Sequence, residues 1–262
     1  MDRKVRSLAL ALALGAGVLL QGQQPDPDGT GTFSILGYDP ATGELGAAVQ
    51  SRVFSVGNGV LWGEAETGIA ATQAIVDVGY GPRALALLRA GLTPDAIIKA
   101  ILDSDTDPGY GGQPWPKTGR QFAVMDARGN YAAHTGPQAT EWAGNTGGKF
   151  CTAQGNIRAG EAVVTNMVKA FEDTQGPLSL RLVAALEGGQ AGGGDKRGQQ
   201  SAALLIVKKD CGVWLHNDTV LRLQVDDSPE PIKELRRLVE RSVAGSARRA
   251  LPGCAGVNGA PK

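Results

Sequence analysis

Thr32 is the residue of this chain best placed for covalent chemistry. It follows Gly31 and opens the alternating segment 32–38, a pattern typical of a strand. Two interpretations of this threonine stand open. It is either the ordinary first residue of a strand, or a nucleophile that uses its own free α-amino group as the base. The second interpretation requires that the peptide bond before Thr32 be broken.

Two polar segments end predicted strands, Gln50-Ser51-Arg52 and Gln154-Gly155-Asn156. A hairpin of the first two strands would bring Ser51 and Arg52 close to Thr32, where a cation lowers the pKa of a nucleophile or of its amine. The amide of Asn156 is a good donor to a developing oxyanion. Each segment also has a structural interpretation, as a polar strand edge or as a turn or helix cap.

The densest polar cluster is the loop 192–201, whose sequence is GGGDKRGQQS. Its glycines expose backbone N–H groups, and Lys196 and Arg197 add positive charge, so the loop is suited to an anion or a carboxylate. The alternative is a solvated turn with a surface ion pair between Asp195 and Arg197. Ordering three consecutive glycines costs conformational entropy, and a solvated turn provides no interaction that would offset this cost.

Motifs for several other chemistries are absent from the sequence. It contains neither a P-loop nor a Gly-x-Ser-x-Gly nucleophile elbow, and its two histidines, His134 and His216, lack ligand spacing. We therefore expect neither a metal site nor a cofactor. A hydrolase that uses Ser201 or His134 without N-terminal chemistry is a third interpretation. It requires these two side chains to lie within hydrogen-bonding distance of each other.

The charge balance and the glycine content narrow the class of protein. The 262 residues include 26 basic and 26 acidic side chains without a basic stripe, so we expect no nucleic-acid partner. The 38 glycines are about twice the usual share and cluster in short runs, as in tight turns. A chain of this length buries a core without help from a metal.

The N-terminus has the pattern of an export signal. Arg3, Lys4 and Arg6 precede the apolar run 8–20, which is short for a membrane span. We predict a signal peptide over residues 1–22, a tether over 23–31, and a protein exported to the periplasm or the extracellular space. A retained N-terminal anchor is the less favoured alternative.

The chain has three cysteines, which are expected to be in an oxidising compartment after export. We favour a disulfide between Cys211 and Cys254, which would pin the Gly/Pro-rich C-terminal segment. Cys151 stands in an apolar context and is expected to be a small buried hydrophobic residue. The predicted organisation is a single domain over 32–245 followed by a flexible tail over 246–262.

The predicted elements form antiparallel sheets with helices packed outside them, an α+β fold. Strands are expected at 32–38, 45–53, 68–76, 121–125, 131–134, 150–154, 200–207, around Trp214 and His216, and at 220–225. Helices are expected at 82–89, 94–103, 161–172, 178–186 and 231–243. Hairpin connections dominate, and no βαβ alternation appears.

Seven segments carry a distinctive motif set: Thr32-Phe33-Ser34-Ile35, Asp39-Pro40-x-Thr42-Gly43-Glu44-Leu45-Gly46, Gln50-Ser51-Arg52, Ala71-Thr72-Gln73-Ala74, Tyr80-Gly81-Pro82-Arg83, Gln154-Gly155-Asn156 and Gly193-Gly194-Asp195-Lys196-Arg197-Gly198-x-Gln200-Ser201-Ala202. Together they resemble the bacterial and archaeal domain of unknown function family 1028, over about residues 32–225. That family is similar in fold to the N-terminal-nucleophile hydrolases, so the resemblance implies a four-layer α-β-β-α sandwich of antiparallel sheets.

The resemblance also implies roles for the site residues. Thr32 would attack a carbonyl with its α-amine as base, since the amine has a reference pKa of about 7.7–8.0. Asn156 and backbone N–H groups would hold the oxyanion, and Ser51 and Arg52 would polarise the site. The residues expected to bind the substrate are Asp195, Lys196, Arg197, Gln73, Gln200 and Ser201.

The expected function is hydrolysis of a small amide or peptide-like substrate by an exported protein without a stable membrane anchor, with a homodimer as the expected assembly. Family members that begin Met-Thr-Phe-Ser expose the threonine by removal of Met, whereas a tether precedes Thr32 here. Self-cleavage at Gly31–Thr32 would provide the free amine. The alternative function is a non-catalytic binding or assembly domain in which the loop 192–201 grips a carboxylate.

Overall fold

The computed structural model describes residues 31–139, 142–156, 160–214, 216–246 and 251–261. The predicted signal peptide and all of the tether except Gly31 lie outside the described residues. The strands are β1 Thr32–Asp39, β2 Glu44–Ser51, β3 Leu61–Glu64, β4 Gly68–Ala74, β5 Arg120–Asp126, β6 Tyr131–Thr135, β7 Gly144–Gly148, β8 Cys151–Gly155, β9 Ser201–Val207 and β10 Thr219–Val225. The helices are α1 Gly57–Val60, α2 Tyr80–Arg89, α3 Pro94–Asp103, α4 Ala162–Asp173, α5 Leu178–Ala191 and α6 Pro231–Ser246.

Two antiparallel sheets organise the chain, which confirms the predicted α+β class. One has six strands in the order β10-β9-β2-β1-β8-β7, and the other has four in the order β3-β4-β5-β6. Strand β1 is central in the larger sheet, because it pairs with β2 on one side and with β8 on the other. The larger sheet is thus built around the strand that begins at Thr32.

Three clusters of buried apolar side chains hold these elements together. Side chains alternate along β1, so Phe33 and Ile35 pack with α4 and α5, whereas Leu36 faces the smaller sheet. The cluster between the sheets joins Leu36 to residues such as Ile69 of β4 and Met125 of β5. The outer face of the smaller sheet packs against α2 and α3.

Several elements differ from the sequence-based prediction. Strand β7 was not predicted, because four of its five residues are glycine or threonine and the strand shows no apolar alternation. Backbone hydrogen bonds pair it with β8. The predicted strand around Trp214 and His216 was wrong, since both residues have left-handed backbone angles, with φ of 68° and 60°, in the β9–β10 connection. Strand β3 and helix α1 were also not predicted.

Helix α5 continues to Ala191 through Gly188 and Gly189, whereas the prediction ended it at Leu186. A Cβ on Gly188 would lie 2.6 Å from the carbonyl oxygen of Asn166, and one on Gly189 would lie 2.8 Å from Met167 Cγ. The two glycines therefore allow α5 and α4 to approach closely. Their effect is on helix packing, which outweighs the modest helix propensity cost of glycine.

The C-terminal segment packs onto the domain in its described part, 251–261, rather than extending as a flexible tail. Cys211 and Cys254 form a disulfide with a Cα–Cα distance of 5.6 Å. Asn258 is buried and accepts a hydrogen bond of 2.6 Å from Ser179 Oγ. Burial raises the pKa of the Cys151 thiol to about 12, so this free cysteine is held as the neutral thiol.

Glu44 is fully buried beneath this segment, and its Oε1 accepts the N–H of Asn258 at 3.1 Å. Desolvation by burial raises the pKa of the Glu44 carboxyl to about 7. Because the folded-state pKa lies above the unfolded value, the stabilisation is full below about pH 4.5 and is lost as the pH rises through 7.

We therefore expect the free energy of unfolding to fall between pH 4.5 and pH 8, with Glu44 contributing roughly 3 kcal/mol of the fall. Urea denaturation at several pH values measures it. Glu44→Gln should remove that contribution, whereas the same change at exposed Glu240 should not. A Glu44→Gln protein with the pH profile of the wild type would contradict the assignment.

Within the parts of the chain that the structure describes, no helix is long and apolar enough to cross a membrane.

Candidate active site

Strand register alone brings Thr32 to Ser51. The two residues are Cα partners in the β1–β2 pair, and Gly155 at the end of β8 pairs with Phe33, which places Asn156 beside Thr32. Since side chains alternate, Thr32 lies on the same face of β1 as Leu36, toward the smaller sheet. The three side chains therefore meet at one end of the space between the sheets, and all are buried.

A chain of hydroxyl groups ends on the carbonyl of Gly31. Ser51 Oγ donates to Gly31 O at 2.7 Å and lies 2.9 Å from Thr32 Oγ1. A hydroxyl group has a single proton to donate. Because the proton of Ser51 goes to Gly31, the hydroxyl of Thr32 is the donor in its contact with Ser51.

Arg197 supplies a second donor to the same carbonyl. Its Nη2 lies 3.1 Å from Gly31 O, and its Nε donates to Asp195 Oδ1 at 3.0 Å. Asp195 is buried and forms an ion pair with the guanidinium, so it fixes the orientation of Arg197. The loop 192–201 thus holds a charge pair against the Gly31–Thr32 peptide.

Asn156 contacts the other side of this peptide. The N–H of Thr32 donates to Asn156 Oδ1 at 2.6 Å, and the N–H of Asn156 donates to Thr32 O at 3.0 Å. Asn156 Nδ2 is buried and has no hydrogen-bond partner among the described residues. A buried unpaired donor on a side chain that contacts Thr32 is suited to a developing negative charge.

Gln73 of β4 connects the site to the smaller sheet. Its Nε2 lies 3.2 Å from Thr32 O and 2.7 Å from Gln121 Oε1, and its Oε1 accepts from Ser34 Oγ at 2.5 Å. Gln154 Nε2 donates to Ser34 Oγ at 2.6 Å. This buried network holds the N-terminal end of β1 in place from the side of the smaller sheet.

Sequence reasoning missed Ser34, Gln121 and Gln154 as parts of the site. A signal was present for Gln121, because it is a polar residue at an inward position of β5, whose other inward positions, Ala123 and Met125, are apolar. Such a residue needs a buried partner. Its partner, however, belongs to another strand.

Four predicted site residues lie around the centre rather than in it. Arg52 is exposed and hydrogen-bonds the carbonyl oxygen of Arg197, and Lys196 is exposed. The side chain of Gln200 donates to Asp227 at 3.2 Å. Ser201 is fully buried, donates to Val53 O at 2.5 Å and accepts the N–H of Val56 at 3.1 Å. It fixes the chain that follows β2, and it does not contact Thr32 in a hydrogen bond.

Ser201 and His134 do not contact each other, although the interpretation that uses these two residues requires a hydrogen bond between them. Ser201 belongs to the larger sheet. His134 lies on β6 with its ring 5.9 Å from that of Phe122, on the face of the smaller sheet that packs against α2 and α3. The smaller sheet thus separates the two side chains. Burial also lowers the pKa of His134, which keeps the ring neutral.

No group of three or more His, Cys, Asp or Glu side chains suited to a metal ion occurs in the described part of the chain. The polar groups around the Gly31–Thr32 peptide are the hydroxyls of Thr32 and Ser51, the amide of Asn156 and the ion pair of Asp195 with Arg197.

Comparisons with known proteins agree with this architecture. The model of the family of unknown function DUF1028 matches residues 32–235. The solved structure of protein SPO2555 from Silicibacter pomeroyi, described as a DUF1028 structure, is 31% identical with a TM-score of 0.70, over 81% of this chain and 86% of that one. The match to the family begins at Thr32.

A second solved structure is a distant match. Anbu (ancestral beta-subunit) from Yersinia bercovieri is 11% identical with a TM-score of 0.34, over 84% of this chain and 98% of that one, and the likeness is too low to carry an argument. A search of the curated proteins gave no match.

Proposed function

This chain belongs to the family of unknown function DUF1028, and we propose that it is an exported amide-bond hydrolase of the N-terminal-nucleophile type that acts on a small amide or peptide-like substrate. One observation carries the proposal. The hydroxyl of Thr32, two donors to the Gly31 carbonyl and an acceptor for the Thr32 N–H all converge on the Gly31–Thr32 peptide bond.

The same geometry supports self-cleavage as the step that exposes the α-amine. Thr32 Oγ1 attacks the carbonyl carbon of Gly31 while its proton passes to Ser51 Oγ and the proton of Ser51 passes to Gly31 O. Arg197 Nη2 stabilises the negative charge that builds up on that oxygen before the proton arrives. Collapse of the adduct re-forms a carbonyl, breaks the C–N bond, moves the hydroxyl proton of the adduct to the Thr32 nitrogen and leaves an ester. Water then hydrolyses the ester and frees both the Gly31 carboxyl group and the Thr32 hydroxyl.

After cleavage the free amine of Thr32 is positioned to serve as the base in substrate hydrolysis. Its nitrogen lies 2.6 Å from Asn156 Oδ1, so this hydrogen bond orients the amine while its lone pair stays available to the hydroxyl. Asn156 Nδ2 and Arg197 Nη2 are the donors available to the oxyanion of a substrate. Asp195 keeps the guanidinium in place.

Two further features support the proposal. We infer a four-layer α-β-β-α sandwich, which is supported by the apolar clusters on the two helical faces and between the sheets. The disulfide between Cys211 and Cys254 fits an oxidising compartment, as expected of an exported chain. The alternative of a carboxylate-gripping loop has less support, since Asp195 and Gly31 O already engage Arg197.

Intact-mass analysis and N-terminal sequencing of the secreted protein test the proposal. The mature chain should begin at Thr32. Gly31→Ala should slow the cleavage, because a Cβ there would lie 2.6 Å from Asp195 Oδ2 and 2.9 Å from Arg197 Nη2 and displace them. Gly245→Ala, where a Cβ meets nothing within 4 Å, is the control. A mature wild-type chain that retains residues 23–31 would overturn the mechanism.

A further inference from the structure

A cavity of about 270 Å³ lies beside Thr32. Its wall is apolar on most sides and includes Val53, Phe54, Val56, Val60, Val76 and Trp115. Thr32 and Gln73 contribute polar atoms to the lining, and none of the lining residues carries a charge. The nucleophile proposed above therefore borders an uncharged chamber, whereas the charged pair Asp195–Arg197 lies on the Gly31 side of the same residue.

Hydrogen bonds that do not face the cavity hold both of its walls in place. Ser201 Oγ fixes the first wall through Val53 O and the N–H of Val56. In the second wall, Trp115 Nε1 donates to Val76 O at 2.8 Å, and Arg120 Nη1 donates to Ile75 O at 2.6 Å. The cavity is thus formed before any ligand binds, as is usual for small-molecule sites.

Backbone strain marks both walls. Ser55 and Ala74 line the cavity and have left-handed backbone angles, with φ of 53° and 68°. Residues other than glycine are rarely held in this region, at a cost that the surrounding structure must offset, and they cluster at ligand-binding sites. The strain turns the chain at each wall and keeps the space beside Thr32 open.

Phe54 is the part of the lining that most needs an apolar partner. Its side chain is 62% exposed, although the residue lies three positions after Ser51, the last residue of β2. A volume of about 270 Å³ is larger than the roughly 150 Å³ of an apolar cavity that holds one benzene molecule. The space is therefore large enough for one phenyl ring or one branched aliphatic group, whose burial would also cover Phe54.

We infer that this cavity receives an uncharged aromatic or branched aliphatic group attached to the scissile amide, and that Phe54 and Trp115 determine this specificity. That the bound group belongs to a hydrolysed amide rests on the proposed function. The cavity binds such groups whether or not Thr32 reacts. An anionic or cationic group would lose part of its hydration in this cavity without gaining a counter-charge from the lining residues. Amides of that kind are therefore disfavoured.

Binding of four matched amides to the mature full-length protein tests the inference: 3-phenylpropanamide, 4-methylpentanamide, 5-aminopentanamide and glutaramate. Saturation-transfer NMR titration measures binding, and ammonia release in the same samples measures hydrolysis. The two apolar amides should bind at least ten-fold more tightly than the two charged ones. Phe54→Asp should weaken their binding about ten-fold or more, and Phe54→Leu should largely preserve it.

Trp214→Asp is the matched control, because Trp214 is an exposed aromatic residue, 87% accessible, that does not line the cavity. Equal binding of the four amides, absence of binding by the apolar pair, or equal losses in Phe54→Asp and Trp214→Asp would each overturn the inference. Selective binding of the apolar amides without ammonia release would support the inference and count against the proposed hydrolase.

Discussion

Replacement of Thr32 by valine is expected to leave the Gly31–Thr32 bond intact and to reduce amide hydrolysis by roughly 10⁴-fold or more, as is typical when a nucleophile is removed. Valine keeps the shape of threonine but has no hydroxyl to attack the carbonyl of Gly31. Intact mass should show a chain that retains the residues before position 32, and ammonia release from 3-phenylpropanamide should fall to the background rate.

Two further variants separate this effect from a loss of stability. Thr32→Ser keeps the hydroxyl and should be cleaved. Thr152→Val changes a buried threonine of β8 that lies outside the site and should be cleaved and active. A Thr32→Val protein that hydrolyses the amide at the wild-type rate would exclude Thr32 as the nucleophile.

Ser51→Ala is expected to slow the cleavage of the precursor by about 10²–10³-fold, the usual effect of removing one oxyanion donor. The substitution removes the acceptor of the Thr32 proton and one of the two donors to Gly31 O. Both losses affect the same step, so the effect should be on the cleavage rate. A time course of intact mass after synthesis of the precursor measures it.

Ser179→Ala provides the comparison for Ser51→Ala. Ser179 is equally buried, and its hydroxyl donates to Asn258 at 2.6 Å, far along the chain from the site. This variant should lose some stability and be cleaved at the wild-type rate. If Ser51→Ala is also cleaved at that rate, the proton of Thr32 does not pass through Ser51 and the relay is wrong.

Replacements of Thr32 and Ser51 are expected to have the largest effects. Gly31 is tightly packed, and the hydrogen bonds lead from Thr32 through Ser51 to its carbonyl oxygen. In the proposed mechanism, Arg197 and Asn156 stabilise and orient the peptide groups, whereas Thr32 and Ser51 transfer the protons. Their replacement should lower rates, but the reacting hydroxyl would remain. The predicted roles of Lys196 and Gln200 have less structural support, because neither side chain reaches the Gly31–Thr32 peptide in a described hydrogen bond.

Much of the fold was predictable because local sequence patterns decide it. The alternation in 32–38 predicted the first strand of the hairpin, and the predicted helix at 94–103 matches α3, whose start is fixed because Thr93 Oγ1 accepts the N–H of Ala96. The errors have tertiary causes. Strand β7 has no side-chain pattern of its own, and the glycines in α5 are there for contact with α4.

The sequence by itself determined that Thr32 begins the first strand, that Ser51 lies near the end of its hairpin partner, and that a loop rich in glycine and charge precedes β9. Only the tertiary structure decided that Asp195 and Arg197 reach Gly31 O, that Asn156 lies at the Thr32 nitrogen, and that Ser201 faces the chain at Val53. The reason is physical. Local propensity and alternation fix a residue's element and face, whereas contacts between residues more than 120 positions apart depend on which strands become neighbours.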